Sequence, residues 1–167
     1  MNLYAILLLG GPKSGKSTLI RALTGVGRNR LVHLRSLGGS RLRVFVVDTS
    51  PHEMGMRKYP PRNFLNKFER KWGIRRSQYD MFIGSLHPNA RRPEFLPERY
   101  IESLIAQGFD VRVAIIEKSW DGRMQDLSDI SRIENFLRER NIRMMRVDAS
   151  KDPNEEAGKI RRELYPQ

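Results

Sequence analysis

The chain has 167 residues, 39% hydrophobic and 30% charged: enough for one packed core and too few for two comfortable ones. It has no cysteine, which excludes a disulfide framework and a thiolate zinc site, and no apolar run long enough to cross a bilayer; with no signal-cleavage pattern after residues 3–9, this points to the cytoplasm. Lys+Arg number 31 against 19 Asp+Glu, a net charge of +12 that favours polyanions such as RNA, DNA or acidic lipid, or that simply keeps an arginine-rich surface soluble.

Strand and helix patterns alternate along the chain. "LYAILLL" (3–9) is a continuous apolar run, as expected of a strand covered on both faces. A helix is expected from Lys16 to Thr24, stopped by Gly25. "RLVHL" (30–34) and "RLRVFVVD" (41–48) are strands joined by "RSLGGS", whose glycine pair predicts an antiparallel hairpin. "SPHEMGMRKYPPRNF" (50–64), rich in Pro and Gly, reads as loop. Residues 62–72 fit a helix with Phe64, Leu65, Phe68 and Trp72 on its inner face. Strands follow at 79–86, 110–117 and 142–150. Helices follow at 96–108, with Ile101, Leu104, Ile105 and Phe109 buried, at 128–140, capped by Ser128, and at 154–164. This order predicts an α/β fold with a mostly parallel sheet and one antiparallel hairpin strand.

"GGPKSGKST" places Gly10-x-x-x-x-Gly15-Lys16-Ser17 between a strand and a helix, the context that makes a phosphate loop credible. Glycines let the backbone wrap so that successive N–H groups meet phosphate oxygens, and the helix N-terminus adds positive potential. Gly11, Pro12, Lys13, Ser14, Gly15, Lys16, Ser17 and Thr18 are therefore the expected phosphate ligands. Lys16 is expected to offset charge on the β- and γ-phosphates, and Ser17 to coordinate Mg²⁺. Asp48, at a strand end, is the expected second metal residue, otherwise a turn-starting aspartate. The substrate is GTP or ATP. His33, His52 and His87 are too dispersed in sequence to suggest a metal cluster.

This element order resembles the small GTPase domains of the translation-factor and Era-like class, and "GGPKSGKSTLIRALTG" is similar to the first motif of that class. The resemblance implies one P-loop NTPase domain over residues 1–167, of three-layer α/β/α architecture. "DTSPHE" (48–53) is similar to the second aspartate motif, which implies that Asp48 serves the metal and that His52 positions the attacking water. "EKSWD" (117–121) stands where guanine is read, implying roles for Lys118 and Asp121, and "DAS" (148–150) implies an N–H from Ala149 to the base. Three features depart from the pattern. Pro51 replaces a glycine whose N–H reaches the γ-phosphate, which implies slow or partner-dependent hydrolysis. Residues 26–43 lack the switch threonine. Lys118 and Asp121 are one residue too far apart, with Glu117 in place of asparagine.

Residues 79–117 also resemble nucleotide and polynucleotide kinases. In that reading Asp48 activates an acceptor hydroxyl, and Arg91, Arg92 or Arg123 covers the transferred phosphate. The hairpin before Asp48 speaks against it, since such kinases usually carry a helix there. A third reading is a nucleotide-dependent binding module with little turnover. Its polyanion would meet residues 57–76, where Arg57, Lys58, Arg62, Lys67, Arg70, Lys71, Arg75 and Arg76 face one acid, Glu69.

Overall fold

A computed structural model describes residues 2–27 and 30–167. Its elements run β1 (Leu3–Leu9), α1 (Lys16–Thr24), β2 (Arg30–Arg35), β3 (Arg41–Val46), α2 (Pro51–Met54), α3 (Phe64–Trp72), β4 (Met81–Leu86), α4 (Pro97–Ala106), β5 (Phe109–Lys118), α5 (Leu127–Glu139), β6 (Arg143–Asp148) and α6 (Pro153–Leu164). The strands form one sheet in the order β2-β3-β4-β1-β5-β6. β2 pairs antiparallel with β3, and every other neighbour is parallel. The expected architecture is therefore the observed one: a mostly parallel sheet, one antiparallel hairpin, and helices on both faces.

The side-chain period of β1 explains its uninterrupted apolar run. Ala5, Leu7 and Leu9 enter the core beneath α3, α4 and α5, while Ile6 and Leu8 enter the core beneath α1 and α6. Both faces are covered, so every second residue cannot be polar. β1 lies between β4 and β5, and its carboxyl end opens where open α/β sheets bind ligands.

Three local expectations need correction. α5 is capped by Asp126 rather than Ser128: the Asp126 carboxylate accepts from the backbone N–H of Ser128 (2.8 Å) and Asp129 (3.4 Å), and the Ser128 hydroxyl donates to it. Ile105 is 41% exposed, because the inner stripe of α4 is Tyr100, Ile101 and Leu104, and Ile105 lies one step further round the helix. The segment after Asp48 is not all loop, since α2 interrupts it. The switch-loop stretch 26–43 includes Arg28 and Asn29, which lie outside the described residues. Among the described residues, no helix is long and apolar enough to cross a membrane.

Candidate phosphate-binding site

The loop between β1 and α1 turns in two left-handed steps, at Lys13 (φ 56°) and Gly15 (φ 106°). Such steps aim consecutive amides into one concavity. Gly15 is required there twice over: its backbone is in the left-handed region, and a β-carbon on it would lie 3.2 Å from Ala149 Cβ. Gly10 is anchored by its N–H to Leu86 O (3.1 Å), and a β-carbon on it would collide with the Ser14 side chain. The loop, with Ser17, Thr18, Glu53 and Trp120, encloses a cavity of about 300 Å³.

Lys16 is folded onto its own loop. Its Nζ donates to Gly10 O (2.6 Å) and Gly11 O (3.1 Å) and pairs with Glu53 Oε1 at 3.4 Å. The side chain is 5% exposed. Burial lowers its pKa from the usual lysine value, and Glu53 opposes that shift. The Gly11 N–H donates to Gln125 Oε1 (3.1 Å), so one cradle amide is held by a side chain of the β5–α5 loop. Ser14 Oγ is buried without a partner among the described residues. Gly11 is buried, whereas Pro12, Lys13, Ser17 and Thr18 are exposed.

Glu53 reaches the cavity through α2, an element built from its own short signal. Ser50 caps the helix and its hydroxyl accepts the Glu53 N–H (3.2 Å). Pro51 occupies the first helical position, where a missing N–H costs nothing. Ser50-x-x-Glu53 has the spacing of a capping box, a pattern that marks a helix start and by itself gives Glu53 no chemical role. Trp120 and Gln125 carried no motif that would have marked them.

Asp48 follows β3. Its Oδ1 accepts from the Thr49 hydroxyl (3.2 Å), and its carbonyl accepts from Ser85 Oγ (3.2 Å). Among the described residues no three His, Cys, Asp or Glu gather as a metal-binding group. Mg²⁺ takes few protein ligands and completes its shell with phosphate oxygens and water. The exposed Ser17 hydroxyl and the carboxylates of Asp48 and Glu53 are the residues of the right type.

His52 is placed differently from the water-positioning role implied by sequence. Its Nδ1 accepts from the His87 N–H (3.2 Å), and its Nε2 lies 2.7 Å from Phe95 O, which fixes Nε2 as the protonated nitrogen. Both ring nitrogens are thus held by backbone. Burial pushes its pKa down to about 4, so the ring is neutral.

Of the residues expected at the base, Ala149 lies beside Gly15 of the loop, and Asp121 and Ala149 are engaged locally. Asp121 Oδ1 accepts from Ser119 Oγ (2.5 Å) and Arg123 N (3.2 Å), and Oδ2 from Arg123 Nε (2.7 Å). The Ala149 N–H donates to Lys118 O (2.8 Å). Glu117 pairs with Arg146 at 3.3 Å. The kinase-type arginines do not converge: Arg92 pairs with Glu94, Arg123 with Asp121, and Arg91 is exposed.

The sheet order, the flanking helices and the glycine loop between β1 and α1 define a three-layer α/β phosphate-loop fold. The chain is similar to Era solved with MgGDPNP and nucleotides 1506–1542 of 16S ribosomal RNA (13% identity, TM-score 0.50), covering 100% of this chain and 58% of that one. It is also similar to the FeoB G-domain of Methanococcus jannaschii (20% identity, TM-score 0.49, 95% of each chain). A third similar structure comes from the PezAT toxin–antitoxin system of Streptococcus pneumoniae (14% identity, TM-score 0.48, 98% of this chain and 78% of that one). By sequence, no family model and no curated protein matches the chain.

Proposed function

We propose that this protein binds a nucleoside triphosphate with Mg²⁺ and hydrolyses it slowly, as a GTPase-like switch. One observation carries the reading: Lys16 Nζ, 2.6 Å from Gly10 O, is held inside a left-handed glycine turn at the mouth of α1, and Lys13, Ser14, Gly15 and Ser17 of the same segment line the cavity. A buried ammonium above helix N-terminal amides is a site for a polyanionic phosphate. Ser17 and Asp48 hold the metal, which when bound offsets charge on the phosphate oxygens. Glu53, rather than His52, is the group that meets the attacking water, because its carboxylate lines the cavity while the His52 nitrogens are occupied. Pro51 supplies no N–H to the terminal phosphate, which keeps turnover slow.

Calorimetric titration of MgGTP and MgATP, with phosphate release measured alongside, tests this. Wild type binds at least one of them and releases phosphate without an acceptor, and Lys16→Ala binds neither. Equal uptake by both proteins, or by neither, overturns the reading.

The basic segment supports a polyanionic partner for the same switch. Of its eight cations, only Arg76 has a carboxylate partner among the described residues, Glu69 at 2.6 Å. Arg57, Lys58, Arg62, Arg70, Lys71 and Arg75 are exposed. Phe64 and Phe68 are fully buried, so they serve the core and leave an outer face rich in cations.

A further inference from the structure

The phosphate cavity has a wall that phosphate chemistry does not require. Trp120 lines it and is 62% exposed, which for the largest apolar side chain asks for a reason. Its root is fixed. The Trp120 N–H donates to Ser14 O of the phosphate loop (3.3 Å), and its Cβ would stand 3.7 Å from a β-carbon on Gly15. The turn that carries it is closed on both sides by Ser119 N–H to Arg123 O (2.9 Å) and by a bridge between Lys118 and Met124. A rigid turn thus presents an open indole at the rim of the anion cradle, beside Gly15 and Ala149.

The two groups that the sequence pattern assigns to a base edge, the Asp121 carboxylate and the Ala149 N–H, are both engaged within the protein. Reading guanine takes a carboxylate that accepts from N1–H and the 2-amino group. Both oxygens of Asp121 already accept from Ser119 and Arg123, and the Ala149 N–H is bonded to Lys118 O. What remains is a π-face, and every base has one.

We propose that Trp120 is the stacking platform for the base of the bound nucleotide, and that the site takes purine triphosphates without choosing between adenine and guanine. This rests on the triphosphate reading above. Purines exceed pyrimidines because more ring area overlaps the indole.

The experiment compares wild type, Trp120→Ala and Trp120→Phe in calorimetric titrations with MgATP, MgGTP and magnesium tripolyphosphate, which has no base. Trp120 is exposed, so its replacement leaves the core intact. Wild type is expected to bind MgATP and MgGTP within about tenfold of each other, since stacking is sequence-tolerant. Trp120→Ala is expected to weaken both by about 5- to 100-fold, the range of base–aromatic stacking, and to leave tripolyphosphate unchanged. Trp120→Phe keeps most of the affinity. Nucleotide affinities unchanged in Trp120→Ala overturn the platform, as does an equal loss for tripolyphosphate. A preference for one purine well beyond about a hundredfold overturns the indifference, because that needs an edge reader. Failure of wild type to bind tripolyphosphate and both nucleotides removes the phosphate site itself, a result distinct from the others.

Discussion

Lys16 and Glu53 are the pair on which the chemistry of the cavity turns. Their 3.4 Å contact joins a buried ammonium to a carboxylate that is 40% exposed, so the pair itself adds little stability. Its consequence is electrostatic: without phosphate the lysine charge rests on Glu53 and two loop carbonyls, and an arriving phosphate competes for it. Glu53→Gln removes the negative charge while keeping the shape. Nucleotide affinity in this variant should hold or rise, while phosphate release falls about 100-fold, the lower end of general-base contributions. Single-turnover phosphate release at saturating nucleotide checks it, and an unaltered rate would reduce Glu53 to a counter-ion. His52 carries a different expectation, in stability rather than turnover. Its pKa is about 4 in the fold against 6.5 ordinarily. Between those values the unfolded chain binds a proton that the folded chain refuses, so stability falls as pH drops through that window, by about 3 kcal/mol for this one group. Burial shifts His87 the same way and adds to the slope. Denaturant unfolding between pH 7 and 4 should show a shallower loss in His52→Gln than in wild type.

At the scale of elements, those with a repeating apolar face were legible in the sequence, and those defined by two or three polar atoms were not. β1, α1 and the β2–β3 hairpin follow from periodicity and glycine placement, and each lies within a residue or two of its expected bounds. α2 has four residues and no periodicity to display; its existence depends on Ser50 accepting one N–H. The turn at 118–124 likewise depends on Asp121 choosing Arg123 and Ser119, a choice among local donors that spacing alone does not decide. α3 is the converse case, where a strong amphipathic pattern placed Phe64, Leu65 and Phe68 in the core and its cations outside. That outer face carries its own prediction. Single-stranded RNA or DNA should bind with affinity that falls steeply with salt. Replacing Arg70, Lys71 and Arg75 by Gln should flatten the log–log slope by about 2, as expected when three phosphate contacts are lost from a single strand. Filter binding across a salt series measures it, and a slope the replacements leave untouched places any polyanion elsewhere.

Across the whole molecule, the phosphate loop is the seam between the two cores. It leaves β1, whose residues feed both faces of the sheet, and it enters α1, which packs on one face beside α6 through Arg161 bonded to Ala22 O (2.6 Å) and Leu23 O (3.1 Å). Gln125 on the β5–α5 loop and Glu53 on α2 reach the same loop. A ligand that engages the loop therefore ties together segments that otherwise meet it through two hydrogen bonds and one ion pair. Binding to the folded state alone stabilises it by RT ln(1 + [L]/Kd), about 2.7 kcal/mol at a hundredfold excess over Kd. In a chain of this size each kcal/mol moves the midpoint by about 2–4 °C, so saturating Mg²⁺ and nucleotide should raise Tm by about 5–10 °C. Chelating the metal should remove much of that rise if Ser17 and Asp48 hold it. Lys16→Ala should show no rise, although its own unfolding remains cooperative, and Gly15→Ala should lose both rise and midpoint because its left-handed backbone is strained and Ala149 is 3.2 Å away. A thermal scan of the three proteins with and without nucleotide separates loss of the ligand from loss of the fold. A rise that persists in Lys16→Ala would place the nucleotide outside this loop.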